Sequence, residues 1–302
     1  MTHKKASAHA AGRISAPAPA KLNLYLHVVG RRADGYHLLD SLVAFASLRD
    51  TVTVRAAERL TLDLTGPFAA DLDGAPDNLV LKAARLLAEA AGREAKAEIV
   101  LNKNLPVAAG LGGGSADAAA ALRALCELWR LPATGSQLMD MALRIGADVP
   151  VCLASRPAFV GGVGESLAPA PPLPPVCVVL ANARKPLVTG EAFAAYAGGF
   201  GAPARFTDAP GDAHELAAVL KARRNDLGKA AQAIVPEVGA VIDALHGAPG
   251  CLLARMSGSG ASCFGLFADA STAEEAGRAL AARHPNWWVD TAALINDLRD
   301  LK

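Results

Sequence analysis

The chain has almost no net charge. Its 30 lysines and arginines against 29 aspartates and glutamates leave +1 over 302 residues, which argues against the basic face of a nucleic-acid binder. No apolar run approaches the roughly 18 residues that a membrane-spanning helix needs. No hydrophobic block follows the polar, alanine-rich residues 1–13, so they read as a disordered tail rather than a secretion signal. The five cysteines (Cys126, Cys152, Cys177, Cys251, Cys263) form no C-x-x-C or Cys/His ligand pattern, and no histidines pair at ligand spacing. A cysteine metal site and a disulfide framework are thereby set aside, and buried free thiols in a reducing cytoplasm are expected. Internal repeats are absent. So are two familiar nucleotide signatures: no Gly-Lys pair is followed by Ser or Thr, and Gly110-x-Gly112 meets Ser115 where a dinucleotide binder has glycine.

What is present is a glycine loop leading into an alanine-rich run, PVAAGLGGGSADAAAALRAL at residues 106–125. Gly110, Gly112, Gly113 and Gly114 lack Cβ atoms, so successive N–H groups there can approach a ligand closely. Ser115 is expected to cap the helix that follows, whose first-turn N–H groups are unpaired and whose dipole is positive at that end. Phosphate suits such a cradle. Leu122, Leu125, Cys126 and Trp129 recur at helical spacing and Pro132 ends the run, while residues 98–103 before the loop read as a strand. A glycine turn that serves only to pack helix on sheet is the alternative reading.

Around this loop the pattern is α+β. Residues 18–29 read as a strand whose Leu22, Leu24, Leu26 and Val28 alternate with Asn23, Tyr25 and His27, leaving the second set to line a site. Further strands are expected at 41–46, 50–55, 61–64, 158–165 and 176–181, with another at 263–267 and one near 286–293. Helices are expected at 78–91, 135–145, 190–197, 213–222, 237–246 and 272–283. Residues 146–150 read as a turn. Five prolines in residues 168–175 leave no room for regular structure, so the boundary between two domains, 14–168 and 169–302, is placed there.

Three separated segments then point one way: PAPAKLNLYL at 17–26, PVAAGLGGGSADAA at 106–119 and MSGSGASCFGLF at 256–267. In order and spacing they resemble the GHMP kinases, over nearly the whole chain from about residue 15. The segments PAKLNLYLHVVGRRADGYHLLDS (19–41) and GADVPVC (146–152) are similar to the branch whose acceptor is a cytidine diphosphate-linked methylerythritol, phosphorylated at its 2-hydroxyl with ATP in isoprenoid precursor synthesis. The resemblance implies a two-domain GHMP kinase fold, with an N-terminal domain like ribosomal protein S5 domain 2 and a ferredoxin-like C-terminal domain. It implies a small-molecule substrate and a cytoplasmic enzyme, and leaves the oligomeric state open.

The same resemblance assigns roles. Asp148 becomes the base that accepts the hydroxyl proton, and an ordinary turn aspartate is its alternative. Lys21, costly to bury unpaired, is placed beside Asp148 and the transferred group. Asn23 shares its strand face near the substrate hydroxyl. Pro106, Ala108, Ala109, Gly110, Leu111, Gly112, Gly113, Gly114 and Ser115 form the ATP phosphate loop. Asn78 is read as lining the adenine or ribose pocket or as a helix N-cap, and Lys103 as a nucleotide-side residue or a solvated charge. Tyr36 and His37 are assigned to the cytosine, Phe193 to its opposite face and Thr189 to a substrate hydrogen bond. Gly258, Ser259 and Gly260 either close over phosphates and substrate or form a strand-entry turn. Mg2+ is expected with ATP. Ser115 matches the serine that holds it in some relatives, and no matching glutamate is evident. Another small-alcohol kinase of the homoserine or mevalonate type, or a silent nucleotide- or RNA-binding module, remains open at this point.

Overall fold

The structure is a computed structural model and describes residues 12–72, 78–132 and 135–301; the expected tail lies outside them except for residues 12 and 13. Strands β1 (Ile14–Arg31) and β2 (His37–Arg55) form a long antiparallel hairpin closed by residues 32–36. The two strands expected at 41–46 and 50–55 are thus one, because β1 pairs with β2 through the polar middle and Pro19 stands opposite Arg49. Then follow β3 (Thr61–Thr65), α1 (Leu79–Ala90), β4 (Glu98–Asn102), α2 (Gly113–Leu128), α3 (Gly135–Ile145) and α4 (Val149–Ala154). Strands β5 (Ala158–Gly162) and β6 (Ser166–Pro169) close the first half. β6 enters the proline-rich stretch because it pairs only with β5 and its free edge needs no N–H donor.

The second half comprises β7 (Cys177–Asn182), α5 (Thr189–Ala194), α6 (Ala213–Lys221), α7 (Gly228–Ile234) and α8 (Glu237–His246). It ends with β8 (Leu253–Met256), β9 (Cys263–Phe267), α9 (Ala270–Arg283) and β10 (Trp288–Ile295). β10 lies antiparallel to β7 and, at Leu294 and Ile295, also meets Ala46 and Phe45 of β2, so one strand joins the two sheets. The core follows that join. Leu22, Leu24, Leu105 and Leu111 pack in one cluster with Leu180, Phe264 and Trp288. Flanking clusters are built on α2 in the first half and on α8 and α9 in the second.

Two local departures from the sequence reading position the site. β1 is irregular between Asn23 and Tyr25, which reverses the phase of the alternation. Lys21, Asn23 and Leu26 therefore face the cleft, whereas Tyr25 and His27 are buried away from it, Tyr25 against the Asp40 carboxylate. The expected turn at 146–150 contains the start of α4, with Asp148 immediately before the helix and Pro150 in its first turn, where a missing N–H costs nothing. The tight packing of α2 against the hairpin explains its alanines: Ala116, Ala118, Ala119, Ala120 and Ala121 are all buried and let the helix lie close to the sheet.

Candidate active site

A cleft of about 1140 Å³ runs between the glycine loop, β1, the 32–37 turn and α5. The loop is fastened by its carbonyls. Ala109 O accepts from Ser262 N–H at 3.0 Å, Gly110 O from the Ser257 hydroxyl at 3.0 Å and Leu111 O from Lys21 N–H at 2.8 Å. Gly110 and Gly112 take φ of +75° and +62°, the left-handed region that only glycine enters freely. The close approach is equally demanding, since a Cβ on Gly112 would fall 2.9 Å from that of Lys21.

Ser115 does not cap the helix. Gly112 occupies the N-cap position without any side-chain bond, and the helix begins at Gly113 with Ala116 N–H donating to Gly112 O. Left-handed Gly112 turns the chain three residues earlier than a cap at Ser115 would. Ser115 therefore lies in the first turn, with its residue lining the cleft beside Gly113 and Gly114. The first-turn N–H groups have no upstream carbonyl to bond, which makes this end of the cleft suited to phosphate.

Beside the loop, the Lys21 ammonium donates to the Asp148 carboxylate at 2.9 Å. The Lys21 side chain is 6% exposed and that of Asp148 43%, so the lysine is fixed and the carboxylate faces open space. Aspartate in front of a helix ordinarily accepts from first-turn N–H groups. Asp148 makes no such bond; its side chain is turned to Lys21 instead. Asn23 stands next to the pair. Its backbone N–H reaches the Ser257 hydroxyl and its amide NH2 the Ser41 hydroxyl, while Oδ1 is buried with no partner.

Lys103 lines the cleft but is buried rather than solvated. Its ammonium is held by Asp50 and, at 2.8 Å, by Asp117, all three side chains being almost wholly buried. Asp50 also accepts from the N–H groups of Asn104 and Leu105, so the cluster fastens the start of the loop to the first turns of α2. Burial pushes the Asp117 carboxyl up to about 8, with Lys103 opposing and Asp50 adding to the effect. Asn78 is the N-cap of α1, accepting from Val80 N–H, and its residue lines the cleft.

At the far end, Tyr36 stands 65% exposed. The His37 ring stacks on Phe193 at 5.5 Å and meets Tyr196 edge-on at 5.8 Å. Burial, then the nearby Arg31, lower the His37 pKa and favour its neutral ring. Thr189 and Ser259 share a 2.9 Å hydrogen bond between their hydroxyls, linking α5 to the 256–262 segment. Pro106, Ala108, Ala109 and Gly258 also line the cleft, whereas Leu111 and Gly260 do not. The Leu111 side chain belongs to the core, and a Cβ on Gly260 would strike Met256 Sδ at 2.6 Å. Ser41, Ser257, Asp50 and Asp117 were missed by the sequence reading. Ser41, Asp117 and Ser257 stand inside motifs it quoted, but their partners come from residues well separated in the chain.

Models of the GHMP kinase N-terminal and C-terminal domains match residues 78–156 and 209–286. A protein named 4-diphosphocytidyl-2-C-methyl-D-erythritol kinase from Paramagnetospirillum magneticum is 55% identical over 93% of this chain and 99% of its own length. One of the same name from Rhodospirillum rubrum is 49% identical over 95% of each. A crystal structure of 4-(cytidine 5'-diphospho)-2C-methyl-D-erythritol kinase is 35% identical, covers 93% of this chain and 99% of its own, and superposes with a TM-score of 0.74.

Proposed function

The chain belongs to the GHMP kinases, among those named 4-diphosphocytidyl-2-C-methyl-D-erythritol kinase, and from that membership we propose that it transfers the γ-phosphoryl group of ATP to the 2-hydroxyl of 4-diphosphocytidyl-2-C-methyl-D-erythritol, a step of non-mevalonate isoprenoid precursor synthesis. The observation that carries the mechanism is the Lys21–Asp148 pair, a fixed ammonium against a half-open carboxylate, with Lys21 packed against the glycine loop.

The loop fits a triphosphate: left-handed Gly110 and Gly112 let it pack against the 257–260 segment and Lys21, and Gly113, Gly114 and Ser115 in the first turn of α2 line the cleft. When bound, ATP supplies the phosphoryl group, and Mg2+ neutralises its phosphate oxygens. The N–H groups of 112–115 and the Ser115 hydroxyl hold the phosphates. Among the described residues no three His, Cys, Asp or Glu gather as a metal cage; Ser115, which lines the cleft in the first turn of α2, is the residue assigned to the ion.

Asp148 accepts the proton of the acceptor hydroxyl as the oxygen attacks in line, with no covalent enzyme intermediate. Lys21 keeps that carboxylate oriented and offsets the charge that builds on the transferred group. Asn23, whose Oδ1 lacks a partner, orients the acceptor hydroxyl region. Tyr36 and Phe193 provide the faces for the cytosine, His37 its edge contacts and Thr189 a substrate hydrogen bond. With the domain boundary put just after β6, the loop and Asp148 belong to one domain and Thr189, Phe193 and Ser259 to the other. The free cysteines support a cytoplasmic setting, and no described helix is long and apolar enough to cross a membrane. Competition tests the cytosine assignment: CDP and CMP are expected to displace the acceptor, and failure of both to weaken its binding would refute it.

A further inference from the structure

One charged side chain close to the reacting pair has no role in the steps above. Arg123 lies in the middle of α2 and is largely enclosed, its Nε entirely so and without a hydrogen-bond partner. Among the described residues no carboxylate pairs with it; every acceptor it has is a backbone carbonyl. Nη2 donates to Pro17 O at 2.6 Å, and Nη1 to Cys152 O at 3.2 Å and, more weakly, to Leu153 O at 3.5 Å. Burial lowers its pKa to about 10, so it stays protonated at neutral pH.

Holding a cation away from water with no counter-charge is unfavourable, and an apolar side chain of similar volume would fill the place more cheaply. The identity of the three carbonyls supplies a reason for the arginine. Pro17 is on β1, four residues before Lys21. Cys152 and Leu153 are in the last turn of α4, whose N-cap is Asp148. Those carbonyls are the negative end of a helix of only six residues, where a cation is favourable. One planar guanidinium thus connects the strand that carries the lysine to the helix that carries the carboxylate. Lysine, with a single ammonium, lacks the fork that spans the two sets of acceptors.

We propose that Arg123 is a positioning residue for phosphoryl transfer, setting the Lys21–Asp148 geometry by tying the Pro17 carbonyl of β1 to the C-terminal carbonyls of α4. This rests on the kinase reading given above. Arg123 touches neither substrate nor nucleotide and acts only through the pair.

Arg123→Met keeps most of the volume and removes the ties. Steady-state kinetics of the folded variant are expected to give a kcat lower by about ten- to hundredfold, with KM for ATP and for the cytidyl acceptor within about twofold of the unaltered protein. In an Asp148→Asn background the same substitution is expected to lower kcat by less than about twofold, because residues that act through one group are not additive. Wild-type kcat in the folded Met variant, or an undiminished loss in the Asp148→Asn background, would overturn the proposal. Should the Met variant not fold, Arg123→Lys serves: it keeps the charge, and a wild-type kcat in it overturns the proposal equally, whereas a lowered kcat at unchanged KM supports it. An unaltered protein that fails to turn over the cytidyl acceptor refutes the kinase reading and the role of Arg123 together; normal turnover with a normal variant refutes Arg123 alone.

Discussion

Gly110→Ala separates two demands that the cleft makes on one residue. The backbone there has φ +75°, and a Cβ would fall 2.6 Å from Gly260 O and 2.7 Å from Ser257 O. Left-handed backbone costs an L-residue about 1–2 kcal/mol. The overlap adds about 1–3 kcal/mol, in the range of an overpacked core, because both oxygens are backbone atoms that cannot rotate away. Gly92 isolates the first cost: its φ is +61° and no atom outside its neighbours lies within 4 Å of a Cβ built there. Thermal melts of the two alanine variants are therefore expected to differ, with Gly110→Ala lower by several degrees, at about 2–4 °C per kcal/mol for a chain of this order of size. The clash is relieved only by parting the loop from the 257–260 segment, so KM for ATP is expected to rise several-fold in Gly110→Ala and to stay unchanged in Gly92→Ala. Equal melting temperatures with an unchanged KM would refute the packing described for the loop.

Other consequences are as direct. Asp148→Asn removes the proton acceptor while preserving its shape, so turnover is expected to fall about a hundredfold or more at unchanged nucleotide affinity; equal turnover would remove Asp148 from the chemistry. Asp117 holds its proton up to about 8 in the folded protein, against about 3.9 for a free aspartate. Its stabilising contribution is complete below the lower value and lost as pH rises through the higher one, since the folded state binds the extra proton between them. Asp117→Asn is therefore expected to flatten the decline in melting temperature between about pH 4 and pH 8, and parallel profiles for the two proteins would contradict the buried proton.

The glycine loop was legible because its chemistry is local. Glycines, a helix and a preceding strand stand in one continuous stretch, and the structure moves only the cap, from Ser115 to Gly112. Lys21 and Asp148 are 127 positions apart, and nothing in their spacing brings them together; only the resemblance of their separate motifs did so. The alternation along β1 was real but its phase was not readable, because a bulge leaves no mark in a run of leucines and polar residues. The elements not anticipated, α4, β6, α7 and β8, are four to seven residues long and held by tertiary contacts rather than by their own periodicity. Lys103 shows the same limit at the level of a side chain. A lysine at a strand end reads as solvated, and its burial between Asp50 and Asp117 depends on partners 53 and 14 residues away.

The most direct test of the central claim is ADP release by the purified protein with Mg-ATP, with 4-diphosphocytidyl-2-C-methyl-D-erythritol, homoserine and mevalonate offered separately as acceptors. Turnover confined to the cytidyl compound is the predicted result. Turnover with homoserine or mevalonate instead, or with none of the three, would contradict it.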